Sequence, residues 1–366
     1  MEDVLFELVQ VSLGTLECLS RDPNEQEWKC LSALCQKQAI SGVVFQALEG
    51  LSTYGQKPPL TVLYEWIGYV QTIETRNRVV NKRCVEISQE FANDGFKICV
   101  LKGQGNAVLY PKPLLRTPGD IDLWVKPEVR GRKFEVRDLI NYVKRRNPEG
   151  RVLYHHVDMG YFKDVEVEVH FRPTFMFNLV HNYRIQRWFC KMADGGCLMA
   201  ELPEGGGTIK VPDKEFNIIF QLSHVYNHLL HEGIGLRQII DYFYLLRKAK
   251  EELTIENGKL IITLRYLGLA KIAGAMMWVL HEKLGLEEEY LIAPMDERRG
   301  KVLLYEIMRG GNFGQYDDNN RKATTAIKKN ILRIKRDLRM MRYFPSECLW
   351  EPVFRIYHWM WRMRYN

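Results

Sequence analysis

Residues 98–126 read ICVLKGQGNAVLYPKPLLRTPGDIDLWVK, and the fold turns on how this stretch alternates. An apolar run, Ile98 to Leu101, has strand character; Lys102-Gly103 ends it, and a short helical pattern follows. Pro111, Pro113 and Pro118 force an extended loop before a second strand-like run from Ile121 to Val125. Strand side chains alternate, so Asp120 and Asp122 share one face while Ile121 and Leu123 take the other. Two neighbouring carboxylates repel, and burying them is costly unless a cation sits between them. Mg²⁺ suits that place because it takes carboxylate and phosphate oxygens together. Alone, an Asp-x-Asp pair is more often the solvated end of a strand than a metal site.

Three neighbours strengthen the metal reading. Gly119 precedes the pair and lets backbone approach a ligand. Lys102-Gly103-Gln104-Gly105-Asn106 opens a helical turn whose backbone N–H groups can face a phosphate. Downstream, Val165-Glu166-Val167-Glu168-Val169-His170 alternates strictly, with valines on one face and Glu166, Glu168 and His170 on the other. That strand is either an exposed edge or the source of a third carboxylate, and its pattern does not choose between Glu166 and Glu168.

The chain has 366 residues, 46% apolar and 27% charged, enough for a sizeable core and too apolar for disorder. No run has the ~18 apolar residues that span a bilayer, and the N-terminus MEDVLFELVQ lacks a basic secretory leader. Cysteines 18, 30, 35, 84, 99, 190, 197 and 348 form no Cys-x-x-Cys pair, which reads as reduced thiols in a cytoplasmic protein. Net charge is +7, but residues 321–366 hold 12 Lys/Arg against 3 Asp/Glu, so the body is near neutral. A near-neutral body argues against a polymeric nucleic-acid substrate.

The expected architecture is α+β: a small mixed sheet flanked by helices, between N-terminal helices and a C-terminal helical domain. Residues 1–93 read as helical, with Asp22-Pro23 as a start signal and a long helix from Leu60 to Asn93 ended by Asp94-Gly95. The arginines on that long helix read as a solvated face. Residues 94–212 form the α/β core, with a helix from Pro127 to Arg146 (Phe134 inward), a hairpin over 152–171 and an irregular stretch over 173–212. Residues 213–366 return to helix, with Asp213 as N-cap, a helix from Ile261 to Leu284 and loops that include 317–320.

His224 and His228 lie four apart on an expected helix, before His231 and Glu232, and read as lobe-facing polar groups or substrate contacts ahead of metal ligands. Val225 stands where a metalloprotease needs Glu. Arg237 and Asp241 read as an intrahelical ion pair, with Arg237 also a possible substrate contact. The terminal segment interleaves bases with Trp350, Tyr357, Trp359, Trp361 and Tyr365, which suits nucleic acid, an anionic membrane, or a helix packed on the body.

Together, L-K-G (101–103), L-Y-P (109–111), R-x-x-G-D-I-D-L (116–123), E-V-H (168–170) and G-L-R-Q-I-I-D (235–241) resemble a bacterial branch of uncharacterised nucleotidyltransferases within the DNA polymerase β-type superfamily. The resemblance implies a transferase that moves a nucleoside monophosphate from a nucleoside triphosphate, ATP first, to a hydroxyl acceptor, with a small molecule expected ahead of a polymer. Asp120, Asp122 and Glu168 would be catalytic and hold two Mg²⁺ ions, Glu168 also serving as general base toward the acceptor. Lys102, Gly103, Gly105, Asn106, Arg116 and Gly119 would contact the nucleotide, and Glu166, His170, His224, His228 and Arg237 the substrates. The superfamily's usual Gly-Ser or Gly-Gly turn is replaced by Gly103-Gln104-Gly105-Asn106, so its pyrophosphate-holding serine is absent. A fold-keeping binding protein and a transferase acting on RNA or protein are the rival readings.

Overall fold

The computed structural model describes residues 1–127, 135–192, 196–231, 233–252, 257–312 and 326–365. Phe134, Glu232 and the loop over 317–320 lie outside them. The architecture is α+β, as expected. The chain forms two compact units: residues 1–75, 114–117 and 225–343 in one, and 76–113, 118–224 and 344–366 in the other.

The first unit is helical. It begins with α1 (Glu2–Leu13), α2 (Glu25–Lys37), α3 (Ser41–Phe45), α4 (Ala47–Ser52) and the first half of α5 (Leu60–Asn93). The start signal at Asp22-Pro23 is corrected by two residues. Asn24 caps α2, accepting from the Glu27 amide at 3.0 Å, while Glu27 accepts from the Asn24 amide at 2.9 Å.

The second unit holds a four-stranded sheet in the order β1-β2-β4-β3: β1 (Phe96–Val100), β2 (Ile121–Pro127), β3 (His156–Asp158) and β4 (Val167–His170). β1 runs antiparallel to β2, β2 parallel to β4, and β4 antiparallel to β3. Ile121, Leu123 and Val125 of β2 and Val167 and Val169 of β4 join one core with Val80, Cys84, Ile87 and Phe91 of α5. Leu139, Ile140 and Val143 of α7 (Val136–Arg146) complete it. Apolar alternation therefore turns every second residue of β2 and β4 to the opposite face, which carries Asp122, Trp124, Glu168 and His170. Pro127 closes β2 opposite Phe96 instead of opening a helix; proline is tolerated at a strand end, where one missing N–H costs little.

Other expectations change. Residues 173–212 are not irregular. They contain α8 (Leu179–Met192) and a hairpin of β5 (Cys197–Glu201) and β6 (Thr208–Pro212). Exposed apolar residues masked both patterns: Val180 and Tyr183 on α8, Leu198 and Met199 on β5. Asp213 does cap α9 (Lys214–His231), accepting from the Phe216 amide at 2.8 Å. In the first unit, α10 (Leu236–Glu252) is followed by α11 (Asn257–Tyr266) and α12 (Ala270–Leu284) in place of one long helix; Gly268, at φ 79°, separates them. The arginines of α5 are not simply solvated. Arg83 pairs with Asp164 at 3.0 Å, ahead of β4, and Arg78 with Glu204 at 2.8 Å.

The basic aromatic tail is a helix, Pro345–Tyr365, that packs on the second unit. Tyr154, next to β3, meets Phe354, Tyr357 and Trp361 at ring-centroid distances of 5.2, 5.8 and 5.6 Å. The outward face of this helix is apolar, carrying Leu349, Val353, Ile356, Trp359, Met360 and Met363.

Gly105 sits where α6 (Gln104–Ala107) crosses the end of β1, and a Cβ there would lie 2.4 Å from the Val100 carbonyl oxygen. Gly105→Ala is expected to cost about 1–3 kcal/mol through that overlap, measured by urea unfolding; an unchanged midpoint would refute the close packing.

Candidate active site

Backbone pairing builds the polar face of the sheet. The Leu101 amide bonds the Asp122 carbonyl at 2.9 Å, which brings Lys102, the next residue, to the side of Asp122. The parallel ladder pairs Asp122 with Glu168 and Trp124 with His170; β3 adds Asp158 opposite Glu168 and His156 opposite His170. Asp158, Glu168 and Asp122 thus form one row across three strands, with His156 and His170 in the next.

Asp122 is fully buried. Its Oδ1 accepts from Lys102 Nζ at 3.0 Å and from His170 Nε2 at 2.9 Å. His170 Nε2 also lies 3.3 Å from Glu168 Oε2. Burial disfavours the charge of His170, but hydrogen bonds to Asp122 and Glu168 outweigh it and push its pKa up to about 9. Burial likewise opposes the charge of Glu168, yet the His170 hydrogen bond and the charge of Lys102 hold its carboxyl at about 2. Lys102 follows the same logic: burial works against it, while Asp122, Asp120 and Glu168 raise it above its ordinary value. A carboxylate so stabilised in its ionised form is a strong charge partner and a weak proton acceptor.

Oδ2 of Asp122 is buried and, among the described residues, accepts no hydrogen bond. Leaving such an oxygen unsatisfied costs about 1–3 kcal/mol or more, and a bound cation would satisfy it. The carboxylate oxygens of Asp122 and Glu168, with Asp120 just before β2, are hard donors that fit Mg²⁺.

Asp122, Glu168 and His170 come together, with ligating atoms within 4.8 Å of one another. Asp120 is half-buried and acts on Lys102 through charge, but it precedes the first laddered pair, Ile121 with Val167, and stands outside that tight group. Glu166 is exposed. Gly119 lies in the irregular stretch before Asp120, and Gly103, at φ 60°, faces the Asp120 carbonyl, 3.0 Å from where a Cβ would stand.

The turn offers fewer free amides to a phosphate than its sequence implies. The Gly105 amide bonds the Lys102 carbonyl at 3.0 Å, and those of Asn106 and Ala107 bond Gly103 at 3.2 and 3.0 Å. The Asn106 side chain is buried and accepts from Gln221 at 2.9 Å.

Arg116, His228 and Arg237 fall in the other compact unit. Arg116 is buried and grips Asp241 with two bonds, at 2.6 and 2.7 Å. Asp241 thus has a partner 125 positions away besides its helical neighbourhood. Arg237 donates to the Thr117 carbonyl at 3.1 Å. His224 stacks on Phe220 at 5.9 Å. Among the described residues, neither His224 nor His228 joins a cluster of three or more metal-ligating groups.

Residues that sequence reasoning passed over are His155, His156 and Asp158. His156 and Asp158 lie on β3, and His156 Nε2 stands 3.2 Å from Asp158 Oδ1. Burial first, then the charges of His156 and His170, push the His155 imidazole well below its usual value and keep it neutral. The common parity of His156 and Asp158 with Glu168 and His170 across the hairpin was the available signal.

Comparison with known proteins adds an independent line. A family described as uncharacterised nucleotidyltransferase matches residues 24–285, more than half of the chain. No curated protein matches. Among solved structures, the chain is similar to an antigenic nucleotidyltransferase-like protein from Paracoccidioides brasiliensis. The two are 15% identical, with a TM-score of 0.37, covering 59% of this chain and 93% of the other.

Lys102 and His170 together balance a fully buried carboxylate, so removing Lys102 leaves that charge only half compensated. Lys102→Met is expected to cost about 3–5 kcal/mol in chelator-treated protein, read by urea unfolding. A loss below about 1 kcal/mol would show that Asp122 does not depend on it.

Proposed function

The chain belongs to the uncharacterised nucleotidyltransferase family and is a transferase, and we propose that it moves a nucleoside monophosphate from a nucleoside triphosphate to a small hydroxylated acceptor with Mg²⁺. The observation that carries this is Asp122: buried, with one oxygen unsatisfied, and facing Glu168 across a parallel ladder. ATP is the first nucleotide to try. The near-neutral body supports a small acceptor over a nucleic acid.

Asp122 and Glu168, with Asp120 at the entrance of β2, would hold the two Mg²⁺ ions. When bound, these ions supply positive charge to the attacking and leaving oxygens of an in-line displacement at phosphorus. Lys102 sets a cation beside the carboxylates, where it also balances phosphate charge. His170 fixes the orientation of Asp122 and Glu168 through its Nε2. We assign Glu168 to holding charge, since its depressed pKa makes it a poor proton acceptor. We assign the nucleotide contacts of the turn to Lys102 and Gly103, because Arg116 is occupied by Asp241 and Asn106 by Gln221.

Calorimetry with ATP and Mg²⁺ tests the assignment. Wild-type protein should bind ATP only when Mg²⁺ is present, and Asp122→Asn should weaken that binding by more than about tenfold, or ~1.4 kcal/mol. Equal affinity in both proteins would remove the metal site from the account.

A further inference from the structure

β3 brings to the polar face a donor set of a different chemistry from the carboxylate pair. His155 Nε2 lies 3.0 Å from His156 Nδ1, which lies 3.4 Å from Glu168 Oε2. His170 Nε2 stands 3.3 Å from that same oxygen. The ligating atoms of His155, His156 and His170 fall within 4.8 Å of one another, as do those of His156, Asp158 and Glu168. Donors bound to one ion at about 2.0–2.1 Å are themselves separated by roughly 3.0–3.4 Å along the edges of a tetrahedron or octahedron. The separations found here are of that size.

A chain of hydrogen bonds is the competing account, and two observations weigh against it. Charge-assisted N–H to carboxylate bonds run at about 2.7–2.9 Å, whereas both imidazoles approach Glu168 Oε2 at 3.3 and 3.4 Å. In addition, His156 is 4% exposed, and its Nε2 meets Asp158 Oδ1 at 3.2 Å, again longer than those bonds. Imidazole nitrogens mixed with one carboxylate select borderline transition metals, while oxygen-only sets select Mg²⁺.

We propose that His155, His156 and His170, with Glu168 as a further donor, form a site for a transition-metal dication of the Zn²⁺ or Co²⁺ class, the ion displacing the proton that His170 Nε2 shares with Asp122. It shares Glu168 with the Asp122 position and differs from it in donor chemistry. Its binding needs no nucleotide, so it stands or falls separately from nucleotidyl transfer.

Co²⁺ is the probe, because its visible absorption reports coordination directly. Untagged, chelator-stripped full-length protein is titrated with Co²⁺, and Zn²⁺ is then used to displace it. One equivalent should bind with a visible ligand-field spectrum, and Zn²⁺ should bleach it. His155→Gln and His156→Gln should each weaken Co²⁺ binding by more than about tenfold, since even outer-shell changes cost 10–100-fold. No visible spectrum in the wild type would overturn the proposal. So would a spectrum unchanged in both variants, or one dominated by thiolate charge transfer from the free cysteines. Circular dichroism checks folding; if His156→Gln does not fold, the half-buried His155→Gln decides.

Discussion

The parallel register of β2 on β4 is the constraint on which the rest depends. It sets Asp122 opposite Glu168 and Trp124 opposite His170. A slip of one residue would drive both carboxylates into the core formed by Ile121, Leu123, Val167, Val169 and α5. The hydrophobic face of the sheet therefore enforces the polar one. Five inward apolar side chains, including Val125, hold a pair of acids at a spacing they would not choose for themselves.

Charge balance is the second layer. Lys102, delivered by the β1–β2 pairing, and His170, from β4, both reach Oδ1 of Asp122. Buried charges cost several kcal/mol each and are recovered only when partners are well placed. Such an arrangement is hard to justify by stability, because apolar residues would serve the core better. Its retention fits a site that must hold positive charge next to phosphate. The terminal helix belongs to the same logic: its aromatics brace Tyr154, beside the β3 residues that extend the polar face.

Much of this was legible in the sequence, for identifiable reasons. Strict alternation over Val165 to His170 and the Asp-Ile-Asp-Leu step revealed two strands, their buried faces and the acids between them. The long helix α5 was readable because its apolar period persists and Asp94-Gly95 stops it. The hairpin over 152–171 was also readable, and β3 does pair antiparallel with β4, but the role of His156 and Asp158 was not, since they acquire meaning only once set opposite His170 and Glu168. The partner of Arg116 was equally hidden: a contact spanning 125 positions leaves no local pattern, so a motif arginine read as a phosphate ligand. The β5–β6 hairpin was missed because the adjacent Leu198 and Met199 are both exposed, which breaks the usual alternation.

Glu166 and Glu168 are the sharpest contrast in the molecule, because the sequence treats them alike and the structure does not. Only Glu168 touches His170 and faces Asp122, while Glu166 is exposed. Mg²⁺-dependent ATP binding, measured by calorimetry on Glu168→Gln and Glu166→Gln, therefore tests the β2–β4 register most directly. The account predicts that Glu168→Gln loses binding and Glu166→Gln keeps it; retained binding in Glu168→Gln, or equal loss in both, would contradict it.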